Sequence, residues 1–143
     1  MKIAILTPKY LPQINGNTTT VDRLVTGLKS KEITTYVIDL SAIKDNNKIL
    51  SIFDKFNPDI IHAFHAYKSG PIALEIAKKL RKPLVVTITG TDANHDIFKR
   101  GRKKKVVDVL KYSRKIVVFH NSIRNKLIKN ISNLNSKIII IKQ

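Results

Sequence analysis

The chain has 143 residues, which fits one compact domain and leaves no room for a second of comparable size. Hydrophobic residues make up 43% and charged residues 26% of it, proportions typical of a folded globular chain rather than a disordered one. Its 27 Lys and Arg against 10 Asp and Glu give a net charge of +17, which predicts anionic partners. The absence of cysteine excludes disulfide scaffolds, thiolate metal sites and cysteine nucleophiles.

The hydropathy pattern argues against a membrane-spanning protein. No apolar run approaches the roughly 20 residues that a spanning helix needs, and the apolar start from Met1 to Pro8 is too short for a signal-peptide core. We therefore expect a soluble, cytoplasmic protein. Peripheral attachment at the inner face of the membrane is the alternative that the charge leaves open.

Short apolar runs rich in β-branched residues alternate with helical patterns along the whole chain. Two of them, at Val85–Ile88 and Ile116–Phe119, are nearly continuous, which is typical of parallel strands covered on both faces. The predicted strands are Lys2 to Leu6, Ile33 to Leu40, Asp59 to Phe64, Leu84 to Ile88, Lys115 to Phe119 and Lys137 to Ile141.

Helical stripes fill the intervals between the predicted strands. Val21, Leu24, Val25 and Leu28 follow the spacing of one helix face, and similar stripes begin at Ile49, Ile72, Val106 and Ile123. Alternating strands and helices joined by right-handed crossovers predict an α/β fold. We expect a doubly wound, mostly parallel six-stranded sheet in a Rossmann-like three-layer sandwich.

A long connection, from Thr7 to Thr20, joins the first predicted strand to the first helix. In open α/β sheets ligands bind outside the carboxyl ends of the strands, and the length of this loop favours a functional role. Asn15-Gly16-Asn17 can adopt positive φ and expose backbone N–H groups to a phosphate or a sugar hydroxyl. An ordinary turn with a threonine cap is the alternative. A single glycine here is not the dinucleotide fingerprint.

Two histidines accompany the third predicted strand. His62 lies within it and is interpreted as a half-buried residue whose ring finds a hydrogen-bond partner. His65 follows it at the carboxyl edge of the sheet and is the better candidate for ligand binding.

Gly90, Thr91 and Asp92 follow the fourth predicted strand. Gly90 allows the backbone to approach a ligand closely, and the Asp92 carboxylate could bind hydroxyl groups. The alternative is that Thr91 or Asp92 caps a short helix.

His120 follows the fifth predicted strand at the same edge, and Asn121 or Ser122 is expected to cap the next helix. The histidines of the chain have none of the close spacings typical of metal ligands, so no metal is expected. No nucleophile elbow and no carboxylate pair for acid–base work is present. We therefore assign no catalytic residue and no cofactor to this chain.

One segment, from Lys99 to Lys105, has six basic residues in seven positions. A solvated basic face is the simplest interpretation. The functional interpretation is docking on anionic lipid, where each basic residue near the surface contributes about 1 kcal/mol. The residues expected to form this surface are Lys99, Arg100, Arg102, Lys103, Lys104 and Lys105.

Four segments together resemble the N-terminal domain of retaining, nucleotide-sugar-dependent glycosyltransferases of the two-Rossmann-domain (GT-B) type, the glycogen synthase and lipid mannosyltransferase group known as family 4. They are Pro12 to Asn17, similar to a proline followed by a double glycine; Pro58 to Ala63, similar to a "PDiiHaH" strand; Thr87 to Asp92, similar to a "T-x-H-G-x-D" turn; and Lys115 to Lys129, similar to a "kIiavS-x-x-x-k-x-L" segment. The likeness spans nearly the whole chain. The sequence departs from the pattern at Asn17, Phe64, Thr89 and His120.

The resemblance implies that residues 1–143 are the acceptor-side domain of an enzyme that transfers a sugar from a nucleotide-sugar donor to a sugar or lipid-linked hydroxyl acceptor with retention. It implies that a C-terminal nucleotide-sugar-binding domain is missing and that this chain alone is inactive. Gly16 and its neighbours would contact the donor, and His65, Gly90, Thr91, Asp92 and His120 would line the acceptor side.

Two other functions share the same fold-level evidence. One is a basic Rossmann-like module that binds a small molecule. The other is a nucleic-acid-binding module, which the low aromatic content of 6% argues against because single-stranded nucleic acids stack on aromatic side chains.

Overall fold

The computed structural model describes residues 1–12 and 14–142, and it contains one parallel sheet with helices on both sides. The strands are β1 Lys2–Thr7, β2 Thr34–Asp39, β3 Ile60–Phe64, β4 Leu84–Thr87, β5 Lys115–Val118 and β6 Ile138–Ile140. The helices are α1 Gly16–Lys29, α2 Asn46–Phe56, α3 Gly70–Leu80, α4 Thr91–Asn94, α5 Arg100–Tyr112 and α6 Asn121–Asn130, with 3₁₀ turns at Asp96–Phe98 and Asn135–Lys137.

The six strands lie in the order β2-β1-β3-β4-β5-β6, and every neighbouring pair is parallel. Each predicted strand is present, and its ends lie within one residue of the prediction. The α/β, Rossmann-like fold is therefore confirmed. Leu6 pairs with Ala63 and Phe64 pairs with Thr87, so the carboxyl ends of the central strands meet at one edge.

The helices divide unequally between the two faces of the sheet. Side chains of α2, α3, α5 and α6 pack with one set of strand residues, among them Leu6, Ile61 and Val86, in the larger core. Among the helices of the described residues, α1 alone packs on the other face, where Val21 belongs to a smaller core that includes Ile5. This follows from the strand order, because only the β1–β2 connection runs in the opposite direction along the sheet.

The back face of β4 to β6, the face that α1 leaves uncovered, corrects one prediction. We expected β4 and β5 to be covered on both sides. Instead Val85 and Val117 on this face are half-buried, and on β6 Ile139 is 40% exposed. The near-continuous apolar runs do form strands β4 and β5, as predicted, but among the described residues α1 packs only on β2, β1 and β3.

The N-termini of α3 and α6 differ in what occupies and surrounds them. Gly70 opens α3 beside Pro71, and a Cβ at Gly70 would come within 3.0 Å of Val109 on α5, so the glycine allows these helices to approach. The expected cap of α6 is wrong, since His120 holds the N-cap position and makes no side-chain capping bond there.

Candidate functional site

A cleft of about 460 Å³ opens at the carboxyl edge of the sheet. The chain leaves β1 toward β2 and then returns past β1 to β3, so the loops that follow β1 and β3 diverge and a crevice forms between them. The described residues that line it are Pro8, Lys9, Asn15, Gly16, Asn17, Thr20, His65, Lys68, Thr89, Thr91 and Phe119.

The start of α1 forms one wall of the cleft. The Asn15 side chain caps the helix, because its Oδ1 accepts hydrogen bonds from the N–H groups of Asn17 and Thr18, both at 3.0 Å. The Thr18 hydroxyl completes a capping box by accepting from the Asn15 N–H at 2.8 Å. The expected positive φ in this segment is wrong, since none of Asn15, Gly16 and Asn17 has one. Asn15, rather than a threonine, is the cap.

Gly16 is open toward the cleft. A Cβ built on this residue would meet no heavy atom within 4 Å, so nothing in the packing of the chain requires a glycine there. Glycine at the first turn of a helix also lowers its stability relative to alanine. What the glycine does provide is space beside the positive end of α1, where an anion is favoured.

His65 lies in the opposite wall and is only 4% exposed. Its backbone has φ of 79°, an uncommon conformation for a residue with a side chain. The ring Nδ1 accepts hydrogen bonds from the N–H groups of Tyr67 and Lys68, each at 3.2 Å, so the neutral ring carries its proton on Nε2. Burial, reinforced by the positive charge of Lys68, lowers the pKa of His65 and favours this neutral form.

Asp92 is completely buried beneath the cleft rather than exposed in it. Its carboxylate accepts backbone hydrogen bonds from Ala66, at 2.9 Å, and from Gly90, also at 2.9 Å. Thr89 and Ala93 donate to it as well, at 3.1 and 3.2 Å. One side chain thus holds together the loops that follow β3 and β4, and it positions the cleft walls.

A second buried carboxylate links the cleft to the surface of α5. Asp96 Oδ1 accepts a 2.8 Å bond from Arg102, whose guanidinium lies 4.8 Å from the centre of the Tyr67 ring. The other oxygen, Oδ2, is 3.8 Å from His65 Nε2, too far for a hydrogen bond. Arg102 therefore connects the basic segment to the residues behind the cleft wall.

His62 lies on the back face of the sheet and does not line the cleft. Its Nε2 is 2.8 Å from the Thr87 hydroxyl, and its ring stacks on Phe64 at 4.8 Å. Burial lowers the pKa of His62 to about 4. The interpretation of His62 as a half-buried strand residue with a hydrogen-bond partner is confirmed.

The structure brings together five of the eight predicted ligand-binding residues. Asn15, Gly16, Asn17, His65 and Thr91 line the cleft, and Gly90 lies between the lining residues Thr89 and Thr91. His120 is exposed at the same edge but does not line the cleft. The binding roles of all these residues stay predictions.

Sequence reasoning missed two cationic residues of the cleft. Lys9 follows β1 and Lys68 follows β3, and both line the cleft in the structure. Their positions directly after strand ends were the available signal. The described lining residues include no Asp or Glu, so the cleft is positively charged.

Unpartnered polar atoms concentrate around the cleft. Among the described residues, the buried side-chain atoms without a hydrogen-bond partner are Asn17 Oδ1, His65 Nε2 and Asp96 Oδ2. Asn17 Nδ2 donates to the Thr7 hydroxyl at 2.9 Å, which fixes the orientation of the carboxamide. Buried polar atoms are nearly always paired, so their occurrence at one place indicates a polar site.

The described part of the chain has neither a cluster of metal-binding side chains nor a candidate membrane-spanning helix. Residues 1–12 and 14–142 contain no group of three or more His, Cys, Asp or Glu side chains arranged to hold a metal ion. No helix within the same residues is both long and apolar enough to cross a membrane.

The fold is similar to those of solved UDP-sugar enzymes and complexes. HepE from Anabaena in complex with UDP-glucose matches with a TM-score of 0.72 at 13% identity, over 99% of this chain and 43% of HepE. UDP-GlcNAc 2-epimerase from Methanocaldococcus jannaschii, in complex with UDP-GlcNAc and UDP, matches with a TM-score of 0.73 at 12% identity, over 99% of this chain and 46% of the epimerase. This chain therefore spans less than half the length of either protein.

No curated protein matches the sequence significantly. The match to a family is nonetheless nearly complete, since residues 3–142 fit the profile of Glycosyltransferase Family 4. The order of strands, the cleft at their carboxyl edge and this match agree with the resemblance seen in the four sequence motifs. The chain belongs to Glycosyltransferase Family 4.

Proposed function

We propose that this glycosyltransferase-type domain is the acceptor-side half of an enzyme that transfers a sugar from a nucleotide-sugar donor to a hydroxyl acceptor with retention. The cleft receives the acceptor hydroxyl together with the phosphate-bearing part of the donor. A second, nucleotide-binding domain would complete the site, and the domain alone would not transfer sugar.

The observation that carries this proposal is the open, positively charged start of α1 in the cleft. Gly16 leaves the space beside the N-terminus of α1 open, and Lys9 and Lys68 line the same cleft with positive charge. Diphosphate groups bind where a helix N-terminus and cationic side chains converge. The two structural neighbours described above are complexes, one with UDP-glucose and the other with UDP-GlcNAc and UDP, which supports a nucleotide sugar as the donor class.

Unpartnered polar atoms, one from each wall of the cleft, suit a hydroxyl-rich ligand. His65 Nε2–H is a donor and Asn17 Oδ1 an acceptor, and neither has a partner among the described residues. In a retaining transfer, positive charge develops on the sugar and negative charge on the leaving phosphate, so acceptor dipoles near the sugar and cations or N–H donors near the phosphate lower the barrier. The chain's own part is to bind and orient.

A pair of glycine substitutions in α1 tests the donor side. Gly16→Leu should fill the cleft and abolish binding of inorganic pyrophosphate and UDP-glucose, measured by NMR titration of backbone amides. Gly27→Leu, the same change at an equally open position of α1, should leave binding unchanged. Neither change should lower stability, because leucine favours a helix more than glycine by about 0.8 kcal/mol.

Binding that survives Gly16→Leu, or amide shifts that map away from Asn15, His65 and Thr91, would contradict the proposal. So would release of UDP from UDP-glucose by this chain alone. Pyrophosphate is included because it represents the diphosphate of any nucleotide sugar, whatever its base.

A further inference from the structure

The basic segment forms one exposed surface at the start of α5. Lys99, Arg100, Lys103, Lys104 and Lys105 are exposed, and Arg102 is half-buried. Within the described residues this surface meets only two carboxylates, in the 2.8 Å pairs Arg102–Asp96 and Lys104–Asp108. The other four cations have no acidic partner among those residues. We call these six side chains the basic cluster.

The position of the basic cluster works against the stability of the helix. The first turn of α5 has no acidic residue, and Lys99 at its N-cap makes no side-chain capping bond. Positive side chains near a helix N-terminus are repelled by the helix dipole and by one another. Apart from Arg102, which pairs with the buried Asp96, the basic cluster therefore does not serve the fold, and it concentrates charge that an external anion would neutralise.

An exposed aromatic residue adjoins the basic cluster. Phe98, in the 3₁₀ turn immediately before Lys99, is 57% exposed. An aromatic ring next to cationic side chains is the combination found on surfaces that sit in the headgroup region of a bilayer, where the ring is buried and the cations contact lipid phosphates.

The same surface adjoins the cleft. Arg102 belongs to the basic cluster and also contacts Asp96 and Tyr67 behind the cleft wall formed by His65. The basic cluster and the cleft lie at the same edge of the sheet, because α5 begins there after the loop that follows β4. Docking through this surface would bring the cleft close to the membrane.

We propose that Phe98 and the basic cluster form a docking surface for a membrane rich in anionic phospholipid. The cluster supplies attraction to the lipid phosphates, and Phe98 supplies apolar burial at the interface. This docking is independent of which ligand occupies the cleft, so it can succeed or fail separately from the function proposed above. It also suits an acceptor that is itself a lipid.

Vesicle co-sedimentation with two matched variants tests this surface. The chain should sediment with vesicles of phosphatidylcholine and phosphatidylglycerol in equal parts, and not with phosphatidylcholine alone. The triple variant K103Q/K104Q/K105Q should bind the anionic vesicles roughly 100-fold more weakly, since each basic residue near the surface contributes about fivefold. The control K29Q/K31Q/K55Q removes the same charge from exposed residues at the opposite edge and should bind like the unchanged chain.

Phe98→Ser separates a lipid surface from a general polyanion surface. It should weaken vesicle binding by about tenfold, because the ring is buried in the interface, while leaving binding to a mixed-sequence DNA duplex unchanged. Equal losses in the two lysine variants would show attraction by net charge alone and would overturn the proposal. So would binding to neutral vesicles, failure to bind anionic ones, or a Phe98→Ser variant that binds them normally. Unchanged circular dichroism confirms that each variant is folded.

Discussion

Asp92 shows how one residue can satisfy a sequence motif and still act differently from expectation. A carboxylate after a strand end suggested contact with ligand hydroxyls. In the fold, backbone N–H groups from two loops converge on it, and Ala66 lies 26 positions away in the sequence. Four such donors satisfy the carboxylate inside the fold and leave it unavailable to ligand hydroxyls. Its part in the site is positioning.

His62 carries a prediction about pH. Its pKa in the folded chain is about 4, below the ordinary value of 6.5, so the unfolded chain binds the proton more readily in this interval. The contribution of the neutral His62 ring to the free energy of unfolding should therefore be fully present above pH 6.5 and should be lost as the pH falls toward 4. Allowing for partial exposure of the ring, we expect a loss of about 2 kcal/mol from this residue.

Urea unfolding measured across this pH range checks the prediction for His62. His62→Gln can keep a hydrogen bond to Thr87 but cannot titrate, so its stability should fall less steeply. His120→Gln, at an exposed position, should follow the unchanged chain. Identical slopes for His62→Gln and the unchanged chain would show that His62 is not responsible. His65, whose pKa is also lowered, contributes a fall of the same sign.

At the scale of the element, α5 combines a well-packed helix with an unfavourable start. Val106, Val109 and Leu110 are completely buried, and they hold the helix on the sheet. Tertiary packing of this face compensates for the repulsion among the cations of its first turn. The helix is therefore stable despite its charge pattern, and its N-terminal turn is free to serve as a surface.

Reversing charge at the two ends of α5 should change stability in opposite directions. Arg100→Glu places an acid in the first turn and should stabilise the chain by about 0.5 to 1 kcal/mol at low salt. Lys111→Glu, in the last turn, should destabilise it by a similar amount. Thermal unfolding at low and high salt measures both effects, and both should shrink as salt is added. Destabilisation by Arg100→Glu would mean that the basic start of α5 serves the fold.

At the scale of the whole molecule, the unequal distribution of helices makes the two faces of the sheet differ in energy. Ile116 on β5 faces the larger core and is completely buried, whereas Ile139 on neighbouring β6 faces the side that α1 does not reach. The contribution of an apolar side chain scales with the area that folding removes from water. The two isoleucine side chains should therefore make very different contributions to the free energy of unfolding.

Alanine substitutions at these two positions test that difference. Ile116→Ala should lower the free energy of unfolding by about 3 kcal/mol, as expected for a buried isoleucine. Ile139→Ala should lower it by less than about 1 kcal/mol, because much of the side chain is already in water. Urea denaturation at several protein concentrations measures both. Equal costs would indicate that self-association covers the back face of β4 to β6.

Local patterns in the sequence were enough to predict the number of strands, their parallel arrangement and the edge of the sheet at which the cleft lies. These features depend on local periodicity and on the handedness of crossovers, which neighbouring residues decide. Only contacts between distant segments explain that Asp92 turns inward, that Lys9 and Lys68 share a cleft, and that α1 leaves part of the sheet uncovered. Each of these depends on backbone or side chains brought together from distant parts of the chain, and no local pattern specifies such meetings.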